Sequence, residues 1–294
     1  MKKKQIKAKK EKKKNSIVDI LMGLPLIIWT IVVIILPMIF LLFISFMKKG
    51  IIGGIIYQPT LENYKAMLDP LYLSVIKNSL VVAVATTLVE IVLGYFIAML
   101  IATRKAERRS ILLLMVMIPY WVNILIIISS FVSLFNTSGI INNFLVGIGI
   151  LKQPAELLYN NFSVVIGMVY VFLPIAIMPM YSSIEKMDWN LVEASKDLGA
   201  GTLTTFFRIT LPLTWSGIMA SVVLVFIPSI GYYMITDMLG GGTSMLIGNL
   251  IYNQFSVARN WPFGAALSAV LAIVILIMFT IFNKFGSKDD MVVM

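Results

Sequence analysis

The chain has 294 residues, 59% of them hydrophobic and 13% charged, with a mean hydropathy of +0.94, whereas soluble domains carry roughly 25% charged residues. That balance argues against a water-soluble fold. Cysteine and histidine are absent, which excludes disulfides, zinc sites built from those ligands and a histidine general base. The formal charge of +10 does not describe a nucleic-acid surface, because nine of the 24 basic residues are lysines within the first fourteen positions. They form a basic tail suited to anionic lipid headgroups, and no nucleic-acid partner is expected.

The apolar run that follows the tail, from about Ile20 to Met47, far exceeds the roughly 7 to 15 residues of a cleaved signal, so it reads as a retained first span. A bilayer core needs roughly 20 apolar residues per helix. Six stretches qualify: 20 to 47, 74 to 102, 111 to 135, 163 to 184, 212 to 235 and 262 to 283. With the N-terminus inside, the cytoplasmic segments hold eighteen Lys and Arg and the outer ones six, which places both termini in the cytoplasm.

The expected organisation is therefore all-α and polytopic. A basic cytoplasmic tail covers 1-19, a six-span domain covers 20-285, and a cytoplasmic C-terminal tail covers 286-294. The outer segments 48-73 and 136-162 are long and rich in turn-forming residues. A short apolar stretch in the second is expected to lie along the membrane interface.

The loop between the fourth and fifth spans, 185-211, carries the clearest local signals. Asp188 is a good N-cap, Leu191, Val192, Ser195 and Leu198 fall at helical spacing, and Gly199 or Gly201 can end a helix in the left-handed conformation. A second short helix from about Thr202 to Arg208 is expected to run into Pro212 at the start of the fifth span. The spacing thus predicts a helix, turn, helix element on the cytoplasmic face.

Within the spans, Glu90 is the one deeply placed acidic residue. An intramembrane charge is a functional candidate by default, although a hydrogen bond to a neighbouring helix would also explain it. Asp237, Tyr232 and Tyr233 fall near the outer end of the fifth span, and Tyr120 and Trp121 within the third. Carboxylates and aromatic faces suit a permeating cation; interfacial anchoring or core roles suit the aromatics equally. The nineteen methionines scatter through all the spans, which fits lipid-facing or packing roles rather than a metal route, and no metal site is expected.

The run Glu193-Ala194-Ser195, with Asp197, Leu198 and Gly199 following and Ile209-Thr210-Leu211-Pro212 beyond, resembles the EAA loop of binding-protein-dependent ABC importer permeases. The usual third residue is Ala where this chain has Ser195. The resemblance implies the type I importer permease fold and a bacterial plasma-membrane location. It also implies that the loop is a coupling helix docked in a groove of an ATP-hydrolysing subunit. The chain has no G-x-x-x-x-G-K-[ST] phosphate loop, so ATP and Mg are expected on that partner, with no cofactor and no catalysis here. The other implied partners are a second, similar permease, an ATPase dimer and an external substrate-binding protein.

Further segments, among them Phe226-Ile-Pro-Ser-Ile-Gly231, Asp237-Met-Leu-Gly240-Gly241, Met245-Leu-Ile-Gly-Asn249 and Ala258-Arg259-Asn260-Trp261-Pro262, look like the spermidine/putrescine permease subfamily. That resemblance implies a polyamine cargo. The chain departs from it in the third span, where Ile127-Ile128-Ser129-Ser130-Phe131 replaces an arginine and aromatic-rich run, and at Phe96, Thr236 and Tyr232. Another small solute, such as an aminophosphonate, remains the alternative cargo. An ion-coupled secondary transporter is the alternative class; it would favour inverted repeats and several intramembrane charges, which the sequence does not display.

Overall fold

The computed structural model describes residues 23–286; the two expected tails, apart from residue 286, lie outside them. Among the described residues, five helices are long and apolar enough to cross a membrane, and six if one bent pair counts as a single span. The first, α1 (Gly23–Ser45), is almost wholly exposed and packs along the last helix. Strands β1 (Met47–Lys49) and β2 (Ile55–Pro59) then form an antiparallel hairpin, followed by the short α2 (Glu62–Ala66).

Helix α3 (Pro70–Ala102) starts where the Asp69 side chain accepts the Leu71 amide at 2.8 Å and Pro70 occupies a first-turn position, where its missing N–H costs nothing. At 33 residues it is longer than a bilayer core requires, beginning four residues before the expected 74.

The third apolar stretch corrects the expectation of one helix over 111 to 135. Instead α4 (Ala106–Met117) gives way to a 3₁₀ turn, Ile118–Trp121, and a new helix, α5 (Ile124–Phe135), begins on an Asn123 cap that accepts the Leu125 amide at 2.9 Å. Pro119 has no N–H to donate, and Asn123 offers the backbone an alternative partner, so the two together break the span. The apolar stretch beyond it forms α6 (Ile140–Gly147).

Helix α7 (Asn161–Glu185) opens with a reciprocal cap between Asn160 and Ser163 and tolerates Pro174 and Pro179 in its interior. Helices α8 (Trp189–Asp197) and α9 (Thr202–Leu213) build the loop that leads to α10 (Trp215–Gly231). The fifth span also differs from expectation. Pro212 sits near the end of α9, not at the start of a straight span, and the chain bends 66° between α9 and α10. The bend falls at Thr214, whose hydroxyl donates to Thr210 O at 2.8 Å and pairs with the Tyr95 hydroxyl at 2.8 Å.

Beyond α10, Tyr232 interrupts the helix, α11 (233–240) continues it with a π-helical end, and α12 (Ile247–Ser256) precedes the last helix, α13 (Trp261–Gly286). Helices α3, α7 and α10 pack against one another as the centre of the bundle. Their core includes Ile101, Met168, Ile177, Met180, Ile184 and Val225, while many outward side chains on α1, α3 and α13 are apolar and exposed. That surface is suited to lipid rather than water.

Candidate functional site

Two ends of the bundle carry the residues singled out by the sequence. At one end, the last turn of α7 leads directly to α8, whose first turn is capped by the Asp188 side chain accepting the Asn190 amide at 3.0 Å. The predicted N-cap is thus where the spacing placed it. Helix α8 ends before Gly199, which takes φ +82° with nothing within 4 Å of where a Cβ would stand. Its role is conformational, and Gly201, with φ −68°, caps the start of α9 instead.

Within α8 the two faces have different partners. Val192 and Ser195 are buried, and α8 packs against α9. The Ser195 hydroxyl donates to Val192 O at 2.9 Å and lies 2.9 Å from the Thr205 hydroxyl, tying α8 to α9. Glu193, Ala194, Asp197 and Leu198 face outward; Leu198 is 88% exposed. Leu191, Leu203 and Phe207 are exposed as well. Ile209 and Leu211 are half-buried and Pro212 is exposed. The element therefore presents acidic and large apolar side chains outward from a base fixed to two core helices, which is the form of a helix that docks in a groove. A cavity of about 780 Å³ beside it is lined by Ser182, Ser183, Asp188, Leu191 and Ser216, among others, between α7, α8 and α10.

At the opposite end, the chain break at Tyr232 turns two adjacent tyrosines toward different neighbours. Tyr232 packs edge-on against Phe172 at 5.2 Å and lies beside Tyr120. Tyr233 stacks on Tyr252 of α12, with ring centroids 4.1 Å apart, and its hydroxyl lies 3.5 Å from Asp237 Oδ2. Asp237 and Tyr252 are exposed. The 3₁₀ turn holds Tyr120 and Trp121 outward, both exposed. An exposed carboxylate beside stacked π faces can hold an ammonium group through charge and cation–π attraction.

Glu90 joins neither cluster. It is 0% exposed in the middle of α3, and neither carboxyl oxygen has a hydrogen-bond partner among the described residues. A buried polar group left unpaired costs about 1–3 kcal/mol. Glu90→Leu is therefore expected to raise the thermal midpoint of the purified protein by the equivalent of about 1–3 kcal/mol; an unchanged or lowered midpoint would show that the carboxyl has a partner.

Sequence reasoning missed Tyr252, whose pairing with Tyr233 depends on the turn between α11 and α12. It also missed Arg109 and Tyr181. Tyr181 donates to Glu185 Oε1 at 2.6 Å, and Arg109 Nη1 donates to the same oxygen at 3.3 Å. No local periodicity signals such a contact between side chains 76 positions apart.

These features define a polytopic membrane protein with an exposed helical element between its fourth and fifth spans. The chain belongs to the family of binding-protein-dependent transport system inner membrane components, which it matches over residues 90–285. It is 40% identical to the spermidine/putrescine transport system permease protein PotB of Escherichia coli K12 over 254 residues, 86% of this chain and 92% of that protein. It is 37% identical to the PotB of Haemophilus influenzae over 256 residues, 87% and 90% of the two chains. Among solved structures, a chain of a bacterial ABC transporter involved in the import of the acidic polysaccharide alginate superposes with a TM-score of 0.78. That match, at 19% identity, covers 95% of this chain and 98% of the other, so the type I importer permease fold is shared.

Proposed function

We propose that this chain forms one half of the translocation path of an ATP-driven importer of polyamines such as spermidine and putrescine. The observation that carries the cargo is the 40% identity to a spermidine/putrescine permease across 86% of the chain. The cluster of Tyr233, Tyr252 and Asp237 supports it, since a flexible polycation needs carboxylates and aromatic faces at the mouth of its path.

In this reading the partners are a second permease of the same kind, an ATPase dimer that binds ATP and Mg, an external substrate-binding protein and the membrane lipid. The permease itself performs no covalent chemistry. The end bearing α8 faces the cytoplasm, in keeping with the lysine-rich tail, and both termini lie on that side. Closure of the ATPases moves α8 as a rigid body, and the spans joined to it open the path toward the binding protein.

The test is reconstitution of the four components in vesicles with labelled spermidine and putrescine. Uptake that requires both ATP and the binding protein is expected. In the same assay Asp237→Asn is expected to raise the half-saturating concentration of loaded binding protein or cargo by about fivefold, as loss of one partly exposed cation contact of about 1 kcal/mol would do. Binding-protein-stimulated ATP hydrolysis without polyamine uptake would overturn the cargo while keeping the importer class.

A further inference from the structure

Helix α4 buries none of its residues, and Leu112, Leu113 and Val116 are only half-buried against the core. Core contact alone therefore holds it loosely to the bundle. What ties its first turn to the coupling end is a set of side chains. Arg109 Nε donates to Arg104 O at 2.6 Å across the loop that joins α3 to α4, while Nη1 of the same guanidinium reaches Glu185 Oε1. The planar fork of arginine makes both contacts from one fixed geometry. Glu185 is the last residue of α7 and stands three positions before the Asp188 cap of α8. Tyr181, itself buried, fixes that carboxylate by donating to Oε1.

We propose that Arg109, Glu185 and Tyr181 are positioning residues that form a latch, through which displacement of the coupling helix is passed to the third span. The latch joins the segment immediately before α8 to the start of α4, and α4 ends in the turn that carries Tyr120 and Trp121. The motion received at α8 would thus reach the aromatic side chains at the break within that span. Among the described residues there are two ion pairs, and the other, Lys48 with Glu62, belongs to the hairpin end. The Arg109 and Glu185 side chains are 29% and 42% exposed. A pair that solvent reaches to this extent is weak by itself; the Arg104 carbonyl and the Tyr181 hydroxyl hold its two partners in place, so that the set together keeps the two elements in register as they move.

The proposal rests on the importer reading, and the experiment separates the two. The complete reconstituted complex is compared with complexes carrying Glu185→Gln, Tyr181→Phe, Arg109→Glu and the double exchange Arg109→Glu with Glu185→Arg. Glu185→Gln is expected to lower uptake per ATP hydrolysed by about fivefold, with ATPase association and binding-protein stimulation retained. Tyr181→Phe is expected to have a smaller effect in the same direction. The double exchange is expected to recover more uptake per ATP than Arg109→Glu alone. Uptake and hydrolysis that fall in proportion, or no change in either, would overturn the latch.

A second measurement needs no cargo. Because the chain has no cysteine, spin labels can be placed through Met115→Cys and Asn190→Cys alone. In the wild-type background their separation is expected to hold through the ATP cycle; with Glu185→Gln it is expected to shift or broaden. A wild-type separation that changes with ATP would overturn the latch even if polyamine uptake is confirmed. A constant separation without polyamine uptake would overturn the cargo and leave the latch standing.

Discussion

Leu198→Asp is expected to abolish productive association with the ATP-hydrolysing subunit while leaving the permease itself intact. Leu198 is 88% exposed at the end of α8, so folding gains little from its burial, and the backbone there already leaves the helix at Gly199. An apolar anchor that fills a partner's groove is a different matter. Loss of such an anchor costs about 2 kcal/mol or more, roughly a 30-fold loss of affinity, and a carboxylate buried in its place costs further. The measurement is co-purification of the ATPase with the permease, alongside the thermal midpoint of the isolated permease. The expected result is a lost complex with an unshifted midpoint. A lowered midpoint with the complex retained would mean that Leu198 serves folding rather than docking.

Gly248→Ala is expected to destabilise the permease. A Cβ built there would stand 2.0 Å from Gly231 O and 2.7 Å from Gly231 C, both backbone atoms that no rotamer change can move. Helix α12 is seated on the end of α10 at this point, and Asn249 reinforces the seat by donating from Nδ2 to Tyr233 O at 3.3 Å. Overpacking of this kind costs about 1–3 kcal/mol and shifts the elements that carry the clash. Because α11 and α12 bring Tyr233 and Tyr252 together, the substitution is expected to lower both the thermal midpoint and uptake. Gly231→Ala is the control: its nearest neighbour is a flexible Leu271 methyl at 3.6 Å, and it is expected to be tolerated. Equal effects of the two substitutions would show that the crossing of α10 and α12 is not the tight point.

Hydropathy made the spans legible because each must bury or present to lipid a run of apolar side chains of nearly fixed length. The helix over Trp189–Asp197 was legible for a local reason, since Asp188 and Gly199 mark it by capping chemistry that acts within a few residues. Where expectation failed, two local signals competed. Pro119 and Asn123 broke the third span although its hydropathy continues through both, and Thr214 bent the fifth. The hairpin over 47–59 carried its own signal in Gly53-Gly54, both at positive φ, within a segment read as turn-rich. The remaining site contacts, Tyr233 with Tyr252 and Arg109 with Glu185, join residues far apart in the chain, and only the assembled helices determine them.

Photocrosslinking from position 198, in membranes that contain the permease, its ATPase and its binding protein, tests most directly whether α8 is the element that receives ATP-driven motion. The expected result is an adduct with the ATPase whose yield changes with ATP. An adduct with the external binding protein, or with neither protein, would contradict it.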